Sequence, residues 1–156
     1  MTITWKIIKG DQLSAIDIYQ IIQIRNEVFT FEQSCLKQDA DGLDLLPDTY
    51  HIIGVVPQEN KPVAYARLVY TNDEPDAIRL GRLLVVKGYR NKHFGNKVIE
   101  KTLETVEEMK VQYERKYIFA HSQFYLREWY ARFGFEIEGD AFDEGRIMHI
   151  RMIKNI

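Results

Sequence analysis

The chain has 156 residues, 46% of them hydrophobic, which is enough apolar material for one core, so we expect a single domain over residues 1–156. The 21 Lys and Arg residues against 23 Asp and Glu residues give a formal charge of −2, which argues against a nucleic-acid partner or an anionic membrane surface. The lone Cys35 excludes an internal disulfide, and no apolar run resembles a secretion signal or a membrane span, so we expect a cytoplasmic protein.

The first half of the chain predicts a strand, a helix and an antiparallel meander. Apolar alternation predicts a strand over residues 4–8, and helical spacing predicts a helix over residues 13–29, with Ser14 as its N-cap. An acidic stretch, typical of a loop or a short helix, follows it. Turn-separated runs over residues 51–56, 62–70 and 78–86 predict the meander. The third run ends in four apolar residues, which predicts a central strand buried on both faces.

The second half predicts two helices, each followed by strands. Apolar residues at helical spacing from Phe94 to Met109 predict a long amphipathic helix, and residues 116–120 predict a strand. Residues 124–133 predict a short helix closed by Gly134, and residues 136–138 and 146–153 predict two closing strands. This order predicts an α/β (α+β) fold with one mixed, mostly antiparallel sheet flanked by helices.

Charge is distributed unevenly along the chain. Residues 77–99 contain six basic residues and no acid, whereas residues 27–48 contain six acids and one base, Lys37. We interpret the first stretch as suited to an anion and the second as suited to a cation. The alternative for each stretch is a solvated surface.

A basic turn, KGYRNKHFGN, lies between the third strand of the meander and the long helix. Free backbone N–H groups at a helix start, together with the helix dipole, favour the oxygens of a pyrophosphate. Gly95 would let such a group approach the backbone closely. Neither GxxxxGK[ST] nor GxGxxG is present, and the alternative from these residues alone is a solvated surface turn.

The strand LLVV, the turn YRNKHFG and the segment WYARFGFE resemble motifs of the GCN5-related N-acetyltransferases (GNAT). Arg90 and Gly95 match the ends of the family's [QR]-x-x-G-x-[GA] turn, and His93 stands where the family usually has glycine. The R-x-x-V-F-x-x-E-Q pattern that begins at Arg25 resembles the ElaA-type subgroup, and the likeness covers nearly the whole chain. The resemblance implies the GNAT acyl-CoA N-acyltransferase fold and the transfer of an acetyl group from acetyl-CoA to a primary amine by direct attack in a ternary complex.

The resemblance also implies where acetyl-CoA would bind. The pantetheine arm would pair with backbone at Leu83, Leu84 and Val85, and Gln123 would contact the co-substrate where relatives often carry asparagine. The pyrophosphate would lie on the basic turn, which consists of Arg90, Asn91, Lys92, His93, Phe94, Gly95 and Asn96.

Three residues are candidates for proton transfer. The resemblance places Tyr130, four residues before Gly134, as the acid that protonates the CoA thiolate; the alternative is a core tyrosine. The strand RLGRLLVV contains no glutamate, although some relatives place the general base there. Glu32 and His51 are the candidate bases, and the alternatives are an amine-binding carboxylate and a strand histidine satisfied by hydrogen bonds.

We expect no metal, because four scattered histidines and one cysteine give no zinc spacing and residues 39–44, DADGLD, lack the EF-hand order. That acidic segment is expected to be a substrate-side or solvated loop. The expected partner is a small-molecule or peptide amine, and the late strands of such folds often pair in a homodimer. Because of His93 and the missing strand glutamate, the alternative function is a non-catalytic acyl-CoA-binding or regulatory module on the same fold.

Overall fold

Eight strands in one mixed sheet form the centre of the computed structural model, which describes residues 2–59, 61–70 and 72–156. The strands are β1 Thr4–Lys9, β2 Thr49–Val55, β3 Ala64–Val69, β4 Ala77–Val85, β5 Tyr117–Gln123, β6 Glu136–Ile137, β7 Phe142–Glu144 and β8 Ile147–Asn155. The helices are α1 Ala15–Arg25, α2 Phe94–Tyr113 and α3 Arg127–Ala131, and a π-helical segment, Asn26–Glu32, continues α1.

The strands pair in the order β1-β2-β3-β4-β5-β8-β6, and β7 pairs with β8. Every pairing is antiparallel except that of β4 with β5. The prediction of a mixed, mostly antiparallel sheet flanked by helices is therefore confirmed. The short strand β7 was not predicted, because three residues are too few to show an alternating pattern.

Strands β4 and β5 separate after a short paired stretch. Their parallel register runs only from Ala77 opposite Tyr117 to Leu80 opposite Ala120. Beyond that point β4 has no β5 neighbour, and its register with β3 also shifts. The prediction that the end of β4 is buried on both faces is wrong, because Leu84 is buried on one face whereas Leu83 and Val85 on the other are only partly buried.

The predicted first helix changes character near its end. Ser14 caps α1 in a capping box: its hydroxyl accepts from the Asp17 backbone N–H, and the Asp17 carboxylate accepts from the Ser14 backbone N–H, each at 3.1 Å. After Arg25 the chain widens into the π-helical segment, where Gln33 N–H donates to Val28 O five residues back. Such segments are rare and are frequent at functional sites.

Two hydrophobic cores hold the helices on opposite faces of the sheet. On one face α2 contributes Val98, Ile99 and Val106. On the other face α1 contributes Ile21 and Ile24. Burying each such side chain stabilises the fold by about 1.5–3 kcal/mol, so both helices are fixed against the sheet that carries the cleft described below. Within the described residues, no helix has both the length and the apolar character needed to cross a membrane.

Candidate active site

The separation of β4 and β5 opens a cleft of about 790 Å³. It lies between the ends of the two strands, the π-helical segment, the basic turn and the region of α3. Most of the residues predicted from the sequence line it: Glu32, Leu83, Leu84, Val85, Arg90, Asn91, His93, Phe94, Gly95, Asn96, Gln123 and Tyr130. Lys92 and His51 do not line it. Clefts of this volume are of the size that binds small molecules.

The basic turn presents backbone N–H groups without helical acceptors. Helix α2 begins at Phe94 with no side-chain cap, and its first described internal bond runs from Lys97 N–H to His93 O at 3.1 Å. The N–H groups of Phe94, Gly95 and Asn96 therefore have no acceptor within the helix. Together with the positive end of the helix dipole, they suit the oxygens of a phosphate or pyrophosphate.

The fold itself does not require a glycine at position 95. A Cβ at this position would lie 3.8 Å from Trp129 Cζ2, an ordinary contact, and the backbone of Gly95 is not in the left-handed region. An alanine would therefore fit the fold. The open space beside these N–H groups fits the close approach of an anionic group, and the turn in this respect fits an acyl-CoA pyrophosphate.

His93 has the backbone conformation that glycine favours. Its φ is 62°, and that of Asn91 in the same turn is 63°, both in the left-handed region. Histidine and asparagine are among the few residues other than glycine that are enriched there. His93 therefore keeps the left-handed backbone conformation that a glycine at this position of the family motif would favour.

Arg90 joins the basic turn to the π-helical segment. Its Nε donates to Val85 O at 2.9 Å, and its guanidinium forms an ion pair with the Glu32 carboxylate. About a third of each side chain of this pair is exposed. Glu32 therefore borders the cleft as predicted, with its carboxylate already engaged by a guanidinium.

Tyr130 reaches the cleft from α3 and is only 7% exposed. Its ring packs edge-on against Trp129 and Phe135, with centroids 4.9 and 5.5 Å away. Burial, with a smaller contribution from the neighbouring Tyr125, raises the pKa of its phenol above the ordinary value. The phenol therefore keeps its proton near neutral pH and can serve as a hydrogen-bond donor in the cleft.

Two polar side chains of the cleft are fixed by partners within the chain. Gln123 Nε2 donates to Gln33 Oε1 at 2.7 Å, which links the end of β5 to the residue after the π-helical segment. Trp129 Nε1 donates to Asn96 Oδ1 at 2.9 Å. These bonds orient the two sides of the cleft before any ligand is present.

The structure does not bring His51 to the cleft. His51 is fully buried on β2, with Nε2 2.8 Å from Asp44 O and Nδ1 2.7 Å from the Tyr65 hydroxyl. A carbonyl only accepts, so Nε2 donates to it and Nδ1 accepts from Tyr65. Burial also lowers the pKa of His51. Its environment is that of a strand histidine satisfied by hydrogen bonds.

The acidic loop of residues 39–44 is not solvated. Three of its aspartates pair with arginines of α1, β3 and β4, and this Arg–Asp cluster consists of Arg25, Arg67, Arg82, Asp39, Asp41 and Asp44. The shortest pairs are Arg25 Nη1 to Asp44 Oδ1 at 2.6 Å and Arg67 Nη2 to Asp41 Oδ2 at 2.7 Å. The loop borders the cleft through Asp39, but its three aspartates are already paired with arginines, so this part of the acidic stretch of residues 27–48 is not left free for a cation.

The pKa values within the Arg–Asp cluster follow from this pairing. Burial alone would raise the pKa of Asp41, but the hydrogen bonds and charge of Arg67 outweigh it, and the pKa lies well below its ordinary value. The pKa of Asp44 is lowered against burial in the same way, chiefly by Arg25. Both carboxylates are therefore ionised in the folded protein over the whole neutral range.

Sequence reasoning missed four polar residues that line the cleft near the end of β5. Glu144 Oε1 lies 3.1 Å from Lys37 Nζ and 3.4 Å from His121 Nδ1, and Glu144 Oε2 lies 3.6 Å from His149 Nε2. Hydrogen bonding from His121 and Lys37 outweighs burial and lowers the pKa of Glu144 to about 2. The alternation of the segment HSQ, which places His121 and Gln123 on one face of a strand, is the signal that could have found His121.

None of these groups forms a metal centre. Within residues 2–59, 61–70 and 72–156, no three His, Cys, Asp or Glu side chains are grouped in a way that could hold an ion. Cys35 is a free, partly buried thiol that also lines the cleft.

Comparison with known proteins connects this architecture to a family. The profile of the family described as "Acetyltransferase (GNAT) domain" matches residues 25–156. The protein ElaA of Escherichia coli is 32% identical over 154 residues, which cover 99% of this chain and 97% of ElaA. Its crystal structure superposes with a TM-score of 0.87 over 98% of this chain and 99% of that one.

A second solved structure leads to the same result. The crystal structure of an acyl-CoA N-acyltransferase from Pseudomonas aeruginosa is 27% identical and has a TM-score of 0.89, over 98% of this chain and 99% of that one. Both likenesses cover almost the full length of this chain. This chain belongs to the GNAT acetyltransferase family, in its ElaA-like branch, and has the acyl-CoA N-acyltransferase fold.

Proposed function

We propose that this protein transfers an acetyl group from acetyl-CoA to the primary amine of a small molecule or peptide, by direct attack in a ternary complex. The observation that carries the proposal is one cleft that contains both an anion-binding turn at the start of α2 and a buried, protonated tyrosine. Acetyl-CoA supplies the activated thioester; the side chains and backbone of this chain supply its binding and the movement of protons.

Two backbone segments support binding of the co-substrate. The N–H groups of Phe94, Gly95 and Asn96 would hold the pyrophosphate, as argued above. Leu83 and Val85 lie on the part of β4 that has lost its β5 neighbour. Arg90 occupies the Val85 carbonyl, and the other backbone groups on this edge of the strand are available for pairing. An extended amide-containing arm such as pantetheine is suited to this edge.

Tyr130 is the proposed general acid. As the amine nitrogen bonds to the carbonyl carbon, the carbon–sulfur bond breaks and the sulfur takes up the phenolic proton of Tyr130. A proton from the acylated nitrogen then restores the phenol through solvent. The products are an amide and a thiol, and one proton is released for each ammonium ion consumed.

The test of the proposed function is thiol release from acetyl-CoA across a panel of primary amines, with the acetylated product identified by mass spectrometry. We expect release that depends on one class of amine and saturates with it. If acetyl-CoA raises the Tm of the protein and no amine accelerates thiol release, the chain is instead a non-catalytic acyl-CoA-binding module.

Tyr130→Phe tests the acid. Loss of the hydroxyl should lower kcat by about tenfold or more, because the thiolate then departs without a proton donor. The Kd for acetyl-CoA, measured by calorimetry, should remain near that of the wild type. Tyr19→Phe is the matched control, because Tyr19 is an exposed residue of α1 outside the cleft. An unchanged kcat in Tyr130→Phe would remove Tyr130 from the mechanism.

A further inference from the structure

His121 and Glu144 lie on one face of the sheet although they belong to different strands. His121 precedes Gln123 by two residues on β5, so both side chains project from the same face. Gln123 is the register partner of His149 on β8, and His149 is the partner of Phe142 on β7. Glu144 follows Phe142 by two residues. Because antiparallel partners project to the same side, this register gathers the side chains of His121, Gln123, His149 and Glu144 at the cleft.

The Glu144 carboxylate orients the His121 ring. His121 Nδ1 lies 3.4 Å from Glu144 Oε1, and the edge of the Phe142 ring supports the imidazole at a centroid distance of 5.0 Å. An ionised carboxylate only accepts, so Nδ1 carries the proton in the neutral ring. The lone pair is then on Nε2, and this carboxylate–imidazole arrangement is the one that prepares a histidine to accept a proton.

Of the two histidines beside Glu144, His121 is the more accessible to a substrate. Its side chain is 29% exposed, against 8% for His149. His149 Nδ1 donates to Ile147 O at 2.7 Å, and its Nε2 is directed toward Glu144. The other candidate bases are engaged elsewhere, Glu32 by Arg90 and His51 in the interior.

Other charged groups surround His121. Arg151, its register partner on β8, is bound to Glu74 and lies 4.1 Å from the centroid of the Phe119 ring. The titratable or charged groups near His121 on the packed elements are Lys37, Glu74, Arg79, Glu144, His149 and Arg151. The ion pair of Arg151 with Glu74 and that of Lys37 with Glu144 leave no large excess of either charge.

We infer that His121 is the base that takes the proton from the acceptor ammonium, and that Glu144 is the residue that positions it. This inference rests on the proposed function. The ammonium gives one proton to His121 Nε2, directly or through one water, and becomes the neutral amine whose lone pair attacks the thioester carbon. The imidazolium then returns that proton to solvent, which is the net proton of the reaction.

The experiment compares wild type, His121→Asn and Glu144→Ala with an amine that the panel identifies. We expect His121→Asn to lower kcat/KM near pH 7 by about 100-fold, and the Kd for acetyl-CoA to stay unchanged. The defect should shrink as the pH rises, because solvent then deprotonates the amine. Lys101→Ala is the control, since Lys101 lies on the exposed face of α2 outside the cleft.

A second measurement does not depend on activity. Nitrogen-15 NMR of the wild-type protein without ligands should show His121 with its neutral-form proton on Nδ1. Glu144→Ala should convert the ring to a mixture with the Nε2–H form, because the acceptor on Nδ1 is lost. An Nε2–H tautomer in the wild type would contradict the inference even if His121→Asn failed to fold.

The outcomes separate this inference from the proposed function. If wild type acetylates an amine and His121→Asn keeps its kcat/KM at every pH, His121 is not the base, and the proposed function stands. If His121→Asn loses acetyl-CoA binding, the residue holds the co-substrate and the inference is again overturned. If wild type releases no thiol with any amine, the proposed function fails and the inference fails with it.

Discussion

The basic turn of residues 90–96 and the acidic loop of residues 39–44 carry opposite charges, and the fold treats them differently. The turn begins a helix whose first N–H groups have no helical acceptor, beside a glycine whose missing side chain leaves open space. The loop is fastened to the sheet, and three of its aspartates are paired with three arginines. A run of like charges therefore indicates a ligand site only where the fold leaves hydrogen-bonding groups without internal partners.

Long-range contacts decide this difference. The arginines that neutralise the loop come from α1, β3 and β4, and Arg67 is 26 residues from Asp41 along the chain. With three positive and three negative charges, the Arg–Asp cluster is neutral as a whole. It fixes the loop that borders the cleft, whereas the first N–H groups after the basic turn have no helical acceptor.

The largest expected effect comes from opening the Arg–Asp cluster. Arg25 is fully buried, its Nη1 donates to Asp44, and its Nε lies 2.9 Å from Asp39 Oδ2 without the alignment of a hydrogen bond. Arg25→Ala should lower the free energy of unfolding by about 3–5 kcal/mol, because it leaves three carboxylates with only two guanidinium partners in a largely buried cluster. Urea denaturation measures this change.

The control for the Arg–Asp cluster is an exposed pair. Lys101→Ala removes the surface contact with Glu104 and should change the free energy of unfolding by less than about 1 kcal/mol. A similarly small change in Arg25→Ala would show that the cluster does not fasten the acidic loop, and the contrast between the two regions would disappear.

The second-largest effect is expected for acetyl-CoA binding at the basic turn. Gly95→Glu should weaken acetyl-CoA binding by about 100-fold or more, because it places bulk and negative charge beside the proposed pyrophosphate. Gly95→Ala is the matched variant, since its Cβ meets nothing closer than Trp129 at 3.8 Å. Calorimetry with both variants measures the Kd, and circular dichroism checks that each is folded. Wild-type affinity in Gly95→Glu would refute the pyrophosphate assignment.

Low pH should weaken the ion pairs of the Arg–Asp cluster. The folded-state pKa of Asp41 lies below its ordinary value, so its ion pair stabilises the fold above the unfolded pKa and this stabilisation is lost as the pH falls. We expect the free energy of unfolding to fall between about pH 5 and pH 2. In Asp41→Asn the free energy of unfolding should fall less steeply with decreasing pH, by up to the slope that corresponds to the uptake of about one proton. Urea denaturation at several pH values tests this, and equal slopes in the two proteins would contradict it.

The smallest effect is expected at His93. A β-branched residue tolerates left-handed backbone poorly, so His93→Val should destabilise the fold by about 1 kcal/mol or more. His93→Gly should change stability by less than about 1 kcal/mol, because relief of backbone strain is offset by a more flexible unfolded chain. Thermal unfolding of the two variants measures the difference. Equal stability of the two would mean that this backbone position imposes no restriction on the residue type.

Local patterns in the sequence predicted the sheet, the helices and most of one wall of the cleft. Arg90, Gly95 and Tyr130 were predicted from the resemblance to the family motifs; they lie in the basic turn, at the start of α2 and on α3, and all three line the cleft. Helical periodicity also gave the start of α2, because Phe94 is the first residue of its apolar stripe and is buried.

The rest depended on contacts that no local pattern records. His121 and Glu144 meet only through the pairing of β5, β8 and β7, and β7 is too short to be recognised. The burial of His51 depends on the acidic loop, whose Asp44 carbonyl accepts from its ring. The separation of β4 from β5 likewise depends on the path of β5, so the four consecutive apolar residues at the end of β4 could not predict it.

The separation of β4 from β5 also divides the sheet into two halves, β1–β4 and β5–β8. Four register pairs, from Ala77 with Tyr117 to Leu80 with Ala120, are the only sheet contacts that join β1–β4 to the remaining strands within the described residues. The seam between these two halves passes through the candidate active site, with Val85 on one side and Gln123 and Tyr130 on the other. Bending of the sheet along this seam would change the width of the cleft, so the proposed reaction depends on the four register pairs that hold the two halves together.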